Sequence, residues 1–246
     1  MHGTDPLNQS QFDIRCEWGL HGVQTLAPIS DVIVIVDVLS FTTCVDIATA
    51  NGAAVFPYAS HGDAAGDYAR ARNALLAGPR GAAGGGYSLS PAGLLDIPAR
   101  TRLVLPSPNG STLSVATGAA PTLAGCLRNS RSVAAYAGRI GRTVSVIACG
   151  ERWPDGSLRP AVEDLIGAGA IISQLGGSKS PEARAAEAVF ESSRGDLGRI
   201  LAACASGQEL IGRGFSTDVD LSGRLDCSTS APLLRGDSYL DMNSAC

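Results

Sequence analysis

Asp37 closes the apolar run Val32–Val36 and is followed at once by Ser40, Thr42 and Thr43, so one carboxylate and three hydroxyls fall within seven residues. A carboxylate at the end of a buried strand needs a partner, because an isolated buried charge is costly. Mg²⁺, which takes oxygen ligands, is one such partner; the N-terminus of the next helix, with Asp37 acting only as a cap, is the other. Ser40, Thr42 and Thr43 can offer hydroxyls and backbone N–H groups to a phosphate at that helix start. A second segment, Leu105-Pro106-Ser107-Pro108-Asn109-Gly110-Ser111-Thr112, pairs two rigid prolines with a glycine that lets a backbone approach a ligand closely. Asn109, Ser111 and Thr112 then open a helix after Gly110, either as an anion pocket or as an ordinary turn with helix caps.

The third segment is Cys149-Gly150-Glu151-Arg152. Cys149 is either a thiolate nucleophile or a small buried residue at a strand end, and its flanks lack the spacing of a cysteine-dependent phosphatase loop. The Arg152 guanidinium suits phosphate or sulfonate oxygens. In the fourth, Glu163-Asp164 begin a helix. They either offset its dipole or share a rim with Asp37 and hold Mg²⁺.

These groups can act together only if strands deliver them to one place. Val32–Val36 reads as a strand buried on both faces, and Cys44–Ala50 as a helix stopped by Asn51-Gly52. Ala53–Tyr58, Leu103–Leu105, Thr122–Cys126 and Val144–Cys149 are further strands. Gly62–Leu76, Ser111–Thr117, Ser130–Arg139 and Pro160–Leu175 are helices. Pro181–Ser192, Asp196–Ala205 and Gln208–Gly212 add a helical final third, with Ala231–Leu234 as an edge strand. Alternation of this kind predicts a three-layer α/β/α sandwich with a largely parallel or mixed sheet. Ligands of such sheets gather beyond the carboxyl ends of the strands. We expect one domain over residues 1–246, with an N-terminal segment at 1–30 and a glycine-rich loop at 78–93 that is either a plain surface loop or a lid.

Composition narrows the chemistry. A net charge of −4 leaves no basic surface for nucleic acid, and every basic residue except Lys179 is Arg. The seven cysteines form no CxxC pair, which predicts reduced thiols and a cytoplasmic location. No apolar run is long enough to span a membrane. GxxxxGK[ST], a strand-linked GxGxxG, HExxH and GxSxG are all absent.

Taken in order, the segments resemble the 2-phosphosulfolactate phosphatase (ComB-like) family. The resemblance rests on Asp37-Val38-Leu39 with Thr42-Thr43, Asn51-Gly52-Ala53, Ser90-Pro91 after a glycine-rich loop, and Asn109-Gly110-Ser111. It continues through Asn129, Cys149-Gly150, Glu163-Asp164, Gly214-Phe215 with Asp218-Val219, and Ala231-Pro232. It implies an unusual α/β fold and Mg²⁺-dependent hydrolysis of 2-phosphosulfolactate, a step of coenzyme M biosynthesis. Asp37, Glu163 and Asp164 would be metal ligands, and Asn109, Gly110, Ser111, Asn129, Cys149 and Gly150 would lie around a small anionic phosphate ester. Arg152 would meet developing charge. The family carries Arg where this chain has Ser40, so Arg128, Arg131 or Arg152 is expected to supply that cation. Two other readings remain open, a hydrolase for a different phosphorylated acid and a non-catalytic binder of an acidic metabolite. Enzymes of this size and class are often symmetric dimers, and a homodimer is expected.

Overall fold

The computed structural model describes residues 6–81 and 86–243. Its strands are β1 (Ile14–Trp18), β2 (Val32–Val36), β3 (Ala54–Tyr58), β4 (Leu75–Leu76), β5 (Arg102–Pro106), β6 (Thr122–Gly125), β7 (Val144–Ala148), β8 (Glu151–Arg152), β9 (Leu158–Arg159), β10 (Pro232–Arg235) and β11 (Ser238–Asp241). The helices are α1 (Gly19–Leu26), α2 (Phe41–Ala50), α3 (Asp63–Ala71), α4 (Gly110–Ala116) and α5 (Ser130–Ile140). They continue with α6 (Val162–Ile172), α7 (Pro181–Ser193), α8 (Leu197–Ala203), α9 (Ala205–Gly212) and α10 (Ser216–Ser222).

One sheet runs in the order β1-β7-β2-β6-β10-β11-β3-β5-β4, while β8 and β9 pair as a separate hairpin. Pairing is parallel within β1-β7-β2-β6 and within β3-β5-β4. The β10–β11 hairpin joins the two groups antiparallel, through Leu233 opposite Leu123 on one side and Tyr239 opposite Val55 on the other. The sheet is therefore mixed and largely parallel, with helices on both faces. Helices α5, α6 and α7 cover one face of β1, β7 and β2. Val23 and Leu26 of α1 and Leu113 of α4 pack on Ile33, Ile35 and Ile147 of the other. Every side chain of β2 is fully buried, as its unbroken apolar run predicts, and each contributes about 1.5–3 kcal/mol of burial.

Several elements differ from expectation, among them α1, the β8–β9 hairpin, α10 and β11, which were not expected. The helix expected over Gly62–Leu76 ends at Ala71, because Asn73 adopts φ +48 and turns Leu75-Leu76 into a strand beside β5. The strand expected at the sheet's edge over Ala231–Leu234 lies in its interior. Pro232 is tolerated there as the first residue of β10, where its missing N–H interrupts little of the ladder. The N-terminal segment supplies β1, which extends the sheet beyond β7.

The topology sets the two parallel groups running in opposite directions, with β2 and β5 five positions apart. In a flat sheet their axes would be roughly 24 Å apart. A strand-to-strand twist of about 20–25° accumulates to roughly 100–125° over those steps. That coiling allows the carboxyl ends of β2 and β5 to meet, as the contact between Asp37 and Gly110 shows. Among the described residues no helix is long and apolar enough to cross a membrane.

Candidate active site

Asp37 follows β2 directly, and its two carboxylate oxygens are held by different parts of the chain. Oδ1 accepts from the Phe41 N–H at 3.0 Å, an otherwise orphaned donor of the first turn of α2. Oδ2 accepts from the Gly110 N–H at 2.9 Å. A Cβ at position 110 would lie 2.3 Å from Phe41 Cδ1 and 2.7 Å from Asp37 Oδ2, so only glycine lets this N–H approach the carboxylate. Thr42 and Thr43 are buried and serve the turn. The Thr42 hydroxyl donates to the Asp37 carbonyl and accepts from its N–H, and Thr43 donates to the Val38 carbonyl. Neither hydroxyl is presented to a ligand, in contrast to the expectation from sequence.

Asp164 lies in the first turn of α6 with Oδ1 accepting from the Val38 N–H and Oδ2 from the Gly150 N–H, both at 2.8 Å. It therefore clamps the residue after Asp37 to the residue before Glu151. Gly150 has φ +67, and a Cβ there would meet Leu158 Cδ1 and the Arg159 carbonyl within 3 Å. Glu163 is buried beside it, near Cys204.

A cavity of about 150 Å³ opens beyond the carboxyl ends of β2 and β5, lined among others by Asp37, Ser40, Asn109, Glu151, Arg80 and Arg213. Asn109 Nδ2 donates to Glu151 Oε2 at 2.9 Å, fixing both side chains in the wall. Ser40 is buried and accepts from Arg80 Nη2 at 2.7 Å. The guanidinium beside Ser40 is thus Arg80 of the glycine-rich loop. Arg128 is committed to buried Asp46 at 2.9 Å, and Arg131 pairs with Asp226 at the surface. The expected lid overlaps residues 82–85, which lie outside the described residues.

Other expected site residues lie elsewhere. Ser111 turns its hydroxyl to the Leu105 carbonyl. Asn129 is buried and closes its own turn, accepting from Cys126 N–H and donating to the Ala124 carbonyl. Cys149 and Arg152 line a neighbouring cavity of about 370 Å³ that shares Asn109 and Glu151 with the first. Burial and the Asp37, Asp164 and Glu151 carboxylates push the Cys149 thiol well up, which opposes a nucleophilic role. Glu151, Arg80 and Arg213 had no role assigned from sequence. Glu151 carries the one available signal, a carboxylate directly after a strand-ending glycine turn.

Burial, followed by the Glu151 charge, pushes Asp37 up to about 7. Burial, with Asp37 and Glu163 nearby, pushes Asp164 up as well, and burial raises Glu151. Acidic groups therefore crowd together at the carboxyl end of β2, where burial and mutual repulsion disfavour their charged forms. Among the described residues no group of three or more His, Cys, Asp or Glu side chains is disposed to enclose a metal ion. Mg²⁺ does not require such a cage; it is held by one or two carboxylates with water and substrate phosphate. Asp37 and Glu151 line the cavity and fit that donor set. Asp164 and Glu163, expected as ligands beside Asp37, do not line it.

The raised Asp37 value has a consequence for stability. Between the ordinary carboxyl value and about 7 the folded protein binds a proton that the unfolded chain has released, so stability falls as pH rises. In chelator-treated protein, urea unfolding should show stability declining from pH 4.5 to 7.5, and the decline should be smaller in Asp37→Asn. Equal slopes for the two proteins would show that Asp37 carries no such burden.

An α/β scaffold that gathers carboxylates, an amide and guanidinium groups at the carboxyl ends of its strands defines a class, proteins that act on small charged metabolites at a sheet crevice. The chain belongs to the 2-phosphosulpholactate phosphatase family, whose profile matches residues 21–237. It is 35% identical over 212 residues to a Gloeobacter violaceus protein named "Probable 2-phosphosulfolactate phosphatase", an alignment covering 82% of this chain and 87% of the relative. A Carboxydothermus hydrogenoformans protein of the same name is 33% identical, with 81% and 84% covered. One from Pseudothermotoga lettingae is 28% identical, with 85% and 92% covered.

Proposed function

We propose that the protein is a Mg²⁺-dependent phosphatase that hydrolyses 2-phosphosulfolactate, or a similar small acidic phosphate ester, to the hydroxy acid and phosphate. The observation that carries this reading is the pair Asp37 and Glu151, two carboxylates with raised proton affinity facing one cavity beside Asn109. A wall of this charge repels a phosphate ester unless a cation stands between them. Asp37 and Glu151 would hold Mg²⁺, which when bound polarises a phosphoryl oxygen and lowers the pKa of coordinated water.

The chain's own groups do the rest. Two backbone N–H bonds make Asp37 rigid and reduce its nucleophilicity, which suits it to hold a cation more than to attack phosphorus. Asn109 fixes the orientation of Glu151 and borders the space for the phosphoryl group. Asp164 holds both strand ends in register without entering the cavity. Ser40 stands where the family carries Arg, and Arg80, donating to Ser40, supplies a guanidinium beside that position.

The test is phosphate release from a panel of small phosphate esters, with Mg²⁺ and with a chelator. Release from 2-phosphosulfolactate or a related acidic ester that disappears on chelation and returns with Mg²⁺ is expected. No release from any ester in the presence of Mg²⁺ would refute the assignment.

A further inference from the structure

Arg80 is nine-tenths buried, with 11% of its side chain exposed, yet it makes few bonds. Its Nη2 donates to Ser40 Oγ, its Nε stands 3.7 Å from Asp218 Oδ2, and its guanidinium lies 5.5 Å from the centre of the Phe215 ring. Among the described residues, Arg80 Nε and Asp218 Oδ2 are the buried side-chain polar atoms left without a hydrogen-bond partner. A guanidinium carries five N–H donors in a fixed fork; with Nη2 bonded to Ser40 and the buried Nε turned to Asp218, the N–H groups of Nη1 and the second one of Nη2 are left for a ligand of the cavity that Arg80 lines.

Its position is nonetheless determined. Asp218 Oδ1 accepts from the Ser90 hydroxyl at 2.7 Å and the Ala92 N–H at 3.0 Å, so one buried carboxylate anchors the exit of the glycine-rich loop and faces Arg80 at its entry. Gly78 and Tyr87 close the base of the same loop through a 2.8 Å backbone bond. Arg213 lines the cavity nearby, paired with Glu209 at 3.2 Å. The cavity thus carries the carboxylates of Asp37, Glu151 and Glu209 together with the guanidinium groups of Arg80 and Arg213.

We propose that Arg80 is the specificity-determining cation of the site, taking the second acid group, sulfonate or carboxylate, of a substrate whose phosphoryl end lies at the Asp37 wall. This deepens the phosphatase reading and rests on it. Arg80 makes no contact with Asp37 or Glu151, so its effect falls on selection among esters.

The experiment compares kcat/KM for three phosphate esters in wild type, Arg80→Gln and the double variant Ser40→Arg/Arg80→Gln. The esters are 2-phosphosulfolactate, phospholactate, which carries carboxylate alone, and glycerol phosphate, which carries no second acid. In Arg80→Gln the preference for acid-bearing over acid-free ester should fall about 10–100-fold, mainly through KM, the value of one lost charge-assisted contact. The two acid-bearing esters report which anion the fork selects. A guanidinium returned from position 40, in contact with the same point, should restore most of the preference. An unchanged preference in a variant with wild-type melting overturns the proposal. If no ester is hydrolysed by wild type, the phosphatase reading fails on its own, and calorimetry with sulfolactate decides the role of Arg80. At least tenfold tighter binding by wild type than by Arg80→Gln supports it, and equal binding overturns it.

Discussion

Replacing Asp37 by Asn should lower Mg²⁺-dependent phosphate release by about 10³-fold or more, the scale on which a metal ligand or general base acts. The substitution preserves shape and changes two things. It removes the negative charge that would hold the cation in the cavity shared with Glu151. It also turns an NH₂ group toward either the Phe41 or the Gly110 N–H, where the carboxylate accepted from both. Two donors facing each other cost about 1–3 kcal/mol, enough to loosen the α2 and α4 starts without unfolding the chain. Activity should therefore be lost while circular dichroism and a cooperative melt persist. Turnover within about threefold of wild type would exclude Asp37 from the chemistry.

Asp164→Ala should instead be a stability variant with a secondary kinetic effect. Removal of the carboxylate leaves the Val38 and Gly150 N–H groups buried without an acceptor, at about 1–3 kcal/mol each. Against this stands relief of the burial and repulsion that Asp164 bears, since its proton affinity is raised first by burial and then by Asp37 and Glu163. Two lost acceptors outweigh one relieved charge, and a net loss of about 2–4 kcal/mol in urea unfolding is expected. Because the clamp joins the neighbours of Asp37 and Glu151, their spacing should relax. A misplacement on the order of 1 Å costs about 10²-fold in turnover. Wild-type stability with full activity would show that the clamp is dispensable.

The parts of this site that were legible in the sequence are those fixed by local order. Asp37 was legible because a carboxylate ending a fully buried strand must be met by donors or a cation, whatever surrounds it. Asn109-Gly110 was legible as a turn at a strand end, but not that Gly110 serves Asp37 from a distant strand. Thr42, Thr43, Ser111 and Asn129 were misread in a common way: their hydroxyl and amide groups look available in sequence, yet each is spent on backbone within a few residues. Short polar side chains at strand–helix turns compete for local backbone partners first. Arg80 was hidden because its place depends on Asp218, which is remote in sequence. The α/β class followed from strand–helix alternation, whereas the interior place of β10 did not, because nothing local distinguishes a short apolar strand at an edge from one between neighbours.

The seam made by β10 and β11 bears on how the chain reaches this state. Seven strands of the sheet precede the hairpin in sequence, and the hairpin fills the gap between them through one paired residue on each flank. Until that hairpin is made, the facing margins of β6 and β3 have no strand to pair with. Long-range closure of this sort slows folding and leaves unfinished chains prone to self-association. The crevice, whose walls come from both parallel groups, should be among the last parts of the molecule to form.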